Sequence, residues 1–264
     1  MVQASEIDLA DWPVAILAGG LAKRLRPITE TIPKALVKIA GAPFLAHQLR
    51  LLHSAGLRRI IVCAGYLGEM IEAEIGDGAA YDLQIEYSFD GAQLLGTGGA
   101  LKRALPRLGR QFVILYGDSY LPIDYRKAAR AFAAGDKAGL MTVYRNQGRW
   151  DASNVQFEEG QILRYDKKQR TPEMHHIDYG LGLLRAEALT TWPDNEPFDL
   201  ADVYRQLLSK KQLSGYEVTE RFYEIGSPEG LADLDAFLRH QSGIGPSEVT
   251  PNNPGNWRQG NADR

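Results

Sequence analysis

Hydrophobic positions in the first half of the chain alternate between two patterns. Short apolar runs predict buried strands, and these runs are 14–18, 59–64, 83–87, 112–116 and 138–144. Between them, apolar residues recur at helical spacing, in the segments 43–55, 67–75, 98–105 and 124–134. Because strands and helices alternate along the chain, the pattern predicts an α/β fold with a mostly parallel sheet and helices on both faces.

The second half shows shorter and more varied elements. The runs 154–157 and 161–165 flank Glu158-Glu159-Gly160, which predicts a β-hairpin. Further strands are predicted at 176–184, 216–219 and 221–225, and helices at 199–209 and 229–239. Since no linker interrupts this half, we expect a smaller α+β portion laid against the sheet, not a separate domain.

The two ends of the chain differ from the part between them. We predict an N-terminal extension at 1–12, one domain at 13–240, and a disordered tail at 241–264. The tail is rich in Gly, Pro, Asn and charged residues and has no hydrophobic periodicity, which is typical of disorder. Trp257 is its one candidate anchor.

Composition excludes several classes of protein. The net charge of −3 argues against a general nucleic-acid binder. No apolar run reaches the roughly 18–20 residues of a membrane helix, and the N-terminus lacks the pattern of a signal peptide. The single cysteine, Cys63, forms no intramolecular disulfide and lies in an apolar run, which predicts a core thiol. We therefore expect a cytoplasmic protein with no nucleic-acid or membrane partner.

The loop after the first strand concentrates groups that bind phosphate. Gly19 and Gly20 follow the strand, and Arg24, Arg26 and Lys34 come soon after them. Glycine lets the backbone approach a ligand, and backbone N–H groups beside fixed cations suit a polyphosphate. The loop lacks the Lys-Ser/Thr ending of a Walker A motif and the glycine spacing of a dinucleotide fingerprint. The residues alone therefore predict a polyphosphate site of another type, and a nucleotide is the expected ligand.

Two further segments also follow predicted strands. Leu95-Gly-Thr-Gly-Gly-Ala-Leu-Lys102 opens a helix whose N–H groups could face a ligand, although small residues at a helix start are equally compatible with simple packing. Tyr116-Gly-Asp118-Ser119 ends a strand, where ligands bind in open α/β sheets. A carboxylate at that edge either holds Mg²⁺ or caps a helix.

These segments resemble a known family, the sugar-1-phosphate nucleotidylyltransferases. The residues that carry the resemblance are Leu17-Ala-Gly-Gly20, Arg24-Leu25, Pro27-Ile-Thr29 and Pro33-Lys-Ala-Leu36. The similarity extends over 13–239. It implies a Rossmann-like three-layer α/β/α sandwich with a mixed, mostly parallel sheet. It also implies a nucleoside triphosphate and a sugar 1-phosphate as substrates, with pyrophosphate released.

The resemblance further implies roles for individual residues. Arg24 would contact the leaving pyrophosphate, and Lys34 the phosphates at the reacting centre. Asp118 and Glu224 would hold Mg²⁺, the implied cofactor. The implied nucleotide-binding residues are Leu17, Ala18, Gly19, Gly20, Thr97, Gly98 and Gly99. The implied sugar-phosphate-binding residues are Asn154, Asp166, Lys167, Asp178 and Gly180. For this last group, ordinary surface polarity is the competing interpretation.

The chain departs from the family pattern at four positions. Ala22 replaces a glycine, which requires that its backbone avoid a positive φ. Lys23 adds a positive charge beside the triphosphate site, and Asp178 replaces an asparagine. Glu224 replaces an aspartate and is one methylene longer, so the metal or the backbone must adjust. His175 and His176 are not expected to share a metal, because neighbours on a strand face opposite sides.

The nucleobase and the sugar are less firmly indicated than the reaction. The opening loop and residues 95–102 look most like the guanylyltransferases of mannose and manno-heptose 1-phosphates, which implies GTP. The short chain, without an added C-terminal β-helix, resembles the heptose enzyme and implies GDP-manno-heptose as product. Uridylyl, thymidylyl and cytidylyl transfer stay open, as do a non-catalytic nucleotide-sugar sensor and a glycosyltransferase. A monomer and a dimer are both compatible with the sequence.

Overall fold

The computed structural model describes residues 7–241. The strands, in chain order, are β1 (Val14–Leu17), β2 (Lys38–Ile39), β3 (Ala42–Pro43), β4 (Arg59–Ala64), β5 (Gln84–Phe89), β6 (Gln111–Tyr116), β7 (Ser119–Tyr120), β8 (Gly139–Tyr144), β9 (Val155–Glu158), β10 (Gln161–Tyr165), β11 (Ile177–Arg185), β12 (Leu213–Val218) and β13 (Tyr223–Glu224). The α-helices are α1 (Phe44–Ser54), α2 (Gly68–Ile75), α3 (Gly96–Leu108), α4 (Tyr125–Ala134), α5 (Leu200–Ser209) and α6 (Pro228–Gln241). Short 3-10 helices occupy Lys23–Leu25, Ile28–Glu30, Lys34–Leu36, Ala79–Tyr81 and Ala186–Leu189. No helix within 7–241 has both the length and the apolar character that a bilayer crossing requires.

Seven strands form one sheet in the order β12–β8–β11–β6–β1–β4–β5. β1 runs parallel to β4 and β6, β4 to β5, and β12 to β8, whereas β11 is antiparallel to both of its neighbours. Val14 and Ile16 face a core that includes α1 and α4, while Ala15 faces a core that includes α3 and α5. The predicted three-layer sandwich with a mixed, mostly parallel sheet is confirmed.

Strands of the second half belong to the main sheet, whereas we expected this half to be laid against it. β11 lies between β6 and β8, and β12 forms an edge of the same sheet. Leu183 packs into one core and Leu184 into the other, so β11 is buried on both faces as a central strand requires. The hairpin predicted around 158–160 is confirmed as β9 and β10, and it forms a separate two-stranded sheet.

The boundaries of the domain differ from the predicted ones in one respect. Leu9 and Trp12, assigned from the sequence to an N-terminal extension, are buried in the same core as α1 and α4. Trp12 packs edge-on against Phe132, with 6.3 Å between the ring centroids. The predicted tail lies outside the described residues, apart from Gln241, and so does Trp257.

Cys63, in β4, is a core thiol as the sequence predicts. It is buried, and burial raises the pKa of the thiol to about 12. The thiol therefore stays protonated near neutral pH and packs as a small apolar group.

Candidate active site

A cavity of about 260 Å³ opens at the carboxyl ends of the central strands. β1 has β4 on one side and β6 on the other, so the loops after these strands diverge and leave a crevice between them. The residues that line it are Leu17, Ala18, Gly19, Gly20, Ala22, Lys34, Ala35, Cys63, Asp90, Leu94, Gly96, Thr97, Ala100, Tyr116, Gly117 and Asp118. The first loop and the loop after β6 thus meet at one site.

The loop after β1 adopts a conformation that the sequence argument did not expect. Ala22 has φ 47° and ψ 42°, in the left-handed region, although we expected an alanine there to avoid positive φ. The surrounding loop holds it in place, because the Ala22 carbonyl accepts hydrogen bonds from the Thr29 hydroxyl at 2.9 Å and from Leu25 N–H at 3.0 Å. These bonds offset a conformational cost of about 1 kcal/mol.

Lys34 reaches directly from the first loop to the loop after β6. Its Nζ lies 2.8 Å from Oδ2 of Asp118, and only 17% of its side chain is exposed. A 3-10 turn that begins immediately after Pro33 directs the lysine inward. The cation predicted for the phosphates and a carboxylate predicted for the metal therefore lie side by side.

Glu224 joins this pair through a short two-stranded sheet. In the β7–β13 pair, Glu224 is opposite Ser119, and Ile225 N–H donates to the Asp118 carbonyl at 3.0 Å. Burial, and next the charge of Asp118, raise the pKa of Glu224 to about 7. Asp118 and Glu224 thus offer two carboxyl groups beside the single ammonium of Lys34, a set of oxygen donors that suits a bound cation.

The two carboxylates are compatible with Mg²⁺ in number and chemistry. In the described part of the chain, no group of three or more His, Cys, Asp or Glu side chains is arranged to hold a metal. Mg²⁺ commonly uses one or two carboxylates and takes its other ligands from water and substrate phosphates. Asp118 and Glu224 could therefore hold it together with water and a phosphorylated ligand.

Arg24 lies near Glu224. It lines a second cavity of about 420 Å³ together with Glu224 and Gly226. A Cβ on Gly226 would lie 2.8 Å from Nη2 of Arg24, so the guanidinium packs directly over this glycine. Asp118 lines the first cavity and Glu224 the second, and the bond from Ile225 N–H to the Asp118 carbonyl places the two cavities side by side.

Four of the predicted sugar-phosphate residues form a cluster beside this cleft. The buried Asp178 carboxylate accepts hydrogen bonds from the Tyr165 hydroxyl at 3.3 Å and from Gly180 N–H at 3.2 Å. Asp178 N–H donates to the Asn154 side chain at 2.9 Å, and Lys167 Nζ lies 4.0 Å from the carboxylate. Burial raises the pKa of Asp178.

Gly180 connects this cluster to the carboxylate pair. Its φ of +98° requires glycine, and a Cβ there would lie 3.2 Å from the Ser119 hydroxyl, next to Asp118. The fifth predicted sugar residue, Asp166, joins the cluster only through its backbone, since its N–H donates to the Asn154 carbonyl at 3.0 Å. Its carboxylate accepts from the N–H groups of Lys168 and Gln169, each at 2.8 Å, and so it caps a turn.

The segment that opens α3 contacts protein where we expected it to contact ligand. Gly98 and Gly99 donate their N–H groups to the Phe198 carbonyl at 3.0 and 3.3 Å. A Cβ on Gly98 would overlap the Phe198 ring. These two glycines therefore let α3 pack against the segment before α5, and the expectation that their N–H groups face a nucleotide is wrong.

Thr97 does line the first cavity, but its hydroxyl is already engaged. It donates to Asp199 Oδ1 at 3.0 Å and accepts from Leu200 N–H at 2.8 Å. The remaining predicted nucleotide-binding residues, Leu17 to Gly20, line the cavity with mostly backbone and small side chains.

Asp90 is a cavity residue that the sequence argument missed. It follows β5, is 5% exposed, and accepts a hydrogen bond from Leu95 N–H through Oδ2 at 3.1 Å. Its Oδ1 is buried and has no hydrogen-bond partner among the described residues. Burial raises the pKa of this carboxyl. Its position after a parallel strand is the one signal that could have identified it.

Glu224→Gln is expected to flatten the pH dependence of stability. The pKa of Glu224 is raised from 4.5 to about 7 in the folded state, so the folded protein holds a proton that the unfolded chain releases. This contribution is complete below pH 4.5 and is lost as pH rises to about 7. We expect the melting temperature, measured with chelator at pH 5 to 8, to fall more in the wild type than in the variant. The exposed Glu74→Gln is the control, and equal slopes in wild type and Glu224→Gln would contradict the assignment.

Comparisons with known proteins identify the family of this chain. Residues 14–241 match the model of the nucleotidyl transferase family. The N-acetylmuramate alpha-1-phosphate uridylyltransferase of Neisseria meningitidis is 31% identical over 84% of this chain and 96% of that protein. The D-glycero-alpha-D-manno-heptose 1-phosphate guanylyltransferase of Aneurinibacillus thermoaerophilus is 27% identical over 85% of this chain and 97% of that protein.

The fold is shared with solved structures at lower identity. HddC from Yersinia pseudotuberculosis, crystallised with GMP-PN, superposes with a TM-score of 0.73 over 86% of this chain and 99% of that chain, at 24% identity. The relatives differ in nucleotide and sugar but share a reaction type, as the motifs around Lys34 predict. The chain belongs to the nucleotidyl transferase family, in the group of sugar-1-phosphate nucleotidylyltransferases.

Proposed function

We propose that this protein transfers a guanylyl group from GTP to a manno-heptose 1-phosphate and releases pyrophosphate. The observation that supports the reaction type is the contact of Lys34 with Asp118 in the first cavity, next to the second cavity that Arg24 and Glu224 line. The family supplies the class of reaction, and the Aneurinibacillus relative supports the choice of guanine and heptose.

The reaction does not require a strong general base. An oxygen of the sugar phosphate forms a bond to the α-phosphorus, and the bond from that phosphorus to the bridging oxygen breaks. Pyrophosphate leaves with the electron pair of the broken bond. Since the attacking phosphate is already an anion, the protein must align the reactants and offset the repulsion between phosphates.

The two cations divide this work along the cleft. Lys34, on the nucleotide side, would contact the α-phosphate region, where negative charge is concentrated at the attack. Arg24, on the far side of Glu224, would bind the leaving pyrophosphate with its planar, bidentate donors. Fixed charges aimed at developing negative charge are effective because they need no reorganisation during the reaction.

Asp118 and Glu224 would hold Mg²⁺ together with the substrates. When bound, the ion would neutralise phosphate charge and orient the triphosphate. Lys34 would hold the Asp118 carboxylate in place beside the substrates through its 2.8 Å contact.

The carboxylate of Asp90, in the lining of the first cavity, supports guanine as the base. Guanine presents two adjacent groups of donors, N1–H and the N2 amino group, whereas uracil presents one N–H between two carbonyl oxygens. An ionised carboxylate offers acceptors only, so it matches guanine and repels the uracil carbonyls. Uridylyl transfer is the second candidate, and the 31% identity to the Neisseria enzyme favours it.

A panel of triphosphates and sugar 1-phosphates tests both the class of reaction and the choice of nucleotide and sugar. We expect pyrophosphate release to be fastest with GTP and manno-heptose 1-phosphate. Release with UTP alone would overturn the choice of base, and no release with any pair would favour a non-catalytic sensor of nucleotide sugars.

Asp90→Asn is expected to shift the base preference toward UTP. Asparagine offers one donor and one acceptor, which fits the O4 and N3–H of uracil. The ratio of kcat/KM for GTP to that for UTP should fall by about 10- to 100-fold, the cost of one bidentate contact. The exposed Asp136→Asn is the matched control, and an unchanged ratio in Asp90→Asn would remove this carboxylate from base recognition.

A further inference from the structure

The second cavity contains an arginine held between two aromatic rings. Cζ of Arg221 lies 3.4 Å from the ring centroid of Trp150 and 4.6 Å from that of Tyr223. Its guanidinium also forms an ion pair with Asp233 of α6. The buried Nε has no hydrogen-bond partner among residues 7–241. Contacts with two aromatic rings and an ion pair at its end leave this side chain little freedom to move.

Trp150 is unusual for an aromatic residue with such a partner. It stays 47% exposed, so the guanidinium covers only part of its ring. It lines the second cavity together with Arg24 and Glu224. Trp150 contacts Arg221 and Arg24 packs over Gly226, with Glu224 between these two positions in the chain, so a sugar ring at Trp150 and pyrophosphate at Arg24 would lie on opposite sides of Glu224. Two other lining residues, Asp151 and Glu229, add carboxylate acceptors to the same wall. An exposed aromatic ring can stack on the apolar C–H groups of one face of a pyranose. The neighbouring carboxylates can accept hydrogen bonds from the hydroxyls at the rim of the same ring.

The loop that carries Trp150 leads to the sugar cluster and away from the nucleotide cavity. At its start, the buried Asn146 accepts a hydrogen bond from Trp150 N–H at 3.2 Å and donates one to the Asp151 carbonyl at 2.5 Å. At its end, Asn154 accepts from Asp178 N–H at 2.9 Å. None of these loop residues lines the first cavity. The loop therefore lies beside the part of the site that is proposed to bind the acceptor.

We propose that Trp150 is the platform on which the sugar ring of the acceptor stacks, and that Arg221 is the positioning residue that holds this platform. This inference rests on the proposed function, since it assigns the acceptor a place within the same cleft. Tyr223 and Asp233 fix the guanidinium, which in turn fixes the indole beside Glu224. Arginine is required for this arrangement because its planar group stacks, which an ammonium group does not do in the same way.

The test separates the KM of the acceptor from the KM of the nucleotide. Trp150→Ala should raise the KM for manno-heptose 1-phosphate, or for mannose 1-phosphate as a probe, by about tenfold. The KM for the triphosphate should stay within about twofold. Trp150→Phe should restore most of the acceptor affinity. Arg221→Lys should raise the acceptor KM as well, whereas Arg205→Lys, which changes an arginine that pairs with Asp202 on α5, should not.

Binding measured without turnover provides an independent readout. Titration with mannose 1-phosphate should quench tryptophan fluorescence in the wild type and much less in Trp150→Phe. The fluorescence of the remaining tryptophans in Trp150→Phe also shows whether the variant is folded. Equal effects on both KM values, or unchanged quenching in Trp150→Phe, would overturn the inference while leaving the proposed reaction intact. Absence of pyrophosphate release by the wild type with every acceptor would instead overturn the proposed function, and this inference with it.

Discussion

Replacing Lys34 with alanine is expected to reduce the rate of pyrophosphate formation by on the order of 10²-fold or more. The ammonium is mostly buried, is fixed 2.8 Å from Asp118, and faces the cavity proposed for the nucleotide. Stabilisation of charge at a fixed position is lost in full when the charge is removed, because water in the cleft must then reorganise. The measurement is kcat with GTP and the best acceptor of the panel.

Two controls distinguish this loss from a folding defect. Lys127→Ala removes an exposed lysine that pairs with Asp124 at the start of α4, and its kcat should match that of the wild type. The melting temperature of Lys34→Ala should stay close to that of the wild type, or change by only a few degrees. Turnover retained within a few-fold in a folded Lys34→Ala protein would remove this lysine from the reacting centre.

The sequence predicts the central sheet well because a buried parallel strand has to be apolar along its length. The run 59–64 coincides with β4 for this reason. The same signal does not reveal which strands are neighbours, so the insertion of β11 between β6 and β8 could not be read from it. Two-residue strands such as β7 and β13 carry no periodicity, and only pairing between distant segments creates them.

The same limit applies to the residues of the candidate site: local motifs indicate some of them, and only the folded structure reveals others. Lys34 and Asp118 were identified because their local motifs are specific, and the structure then brings them into contact. Gly98 and Gly99 were misinterpreted because a small residue at a helix start has the same pattern whether a ligand or another segment approaches it. Asp90 was missed since an unpaired oxygen is a property of the folded surroundings and leaves no mark in the sequence.

Asp118→Asn is expected to lower kcat by on the order of 10²- to 10³-fold and to raise the Mg²⁺ concentration needed for half-maximal rate. Asp118 contacts Lys34 through its carboxylate and the strand of Glu224 through its backbone. The substitution therefore disturbs both the position of the lysine and the proposed metal site. The amide loses the negative charge that a hard cation requires, and its donor nitrogen would face the ammonium of Lys34. The rate is measured over a wide range of Mg²⁺ concentrations.

Asp124→Asn provides the control for Asp118→Asn, because Asp124 accepts N–H bonds at the start of α4 and lies in neither cavity. Its kcat and Mg²⁺ dependence should match those of the wild type. Adding Lys34→Ala to Asp118→Asn separates the two functions of this carboxylate. If Asp118 acts only by holding Lys34, the double variant loses no more rate than Lys34→Ala alone and shows an unchanged Mg²⁺ dependence. If Asp118 also holds the metal, the double variant needs more Mg²⁺ than Lys34→Ala does, and that difference decides whether two carboxylates or Glu224 alone bind the ion.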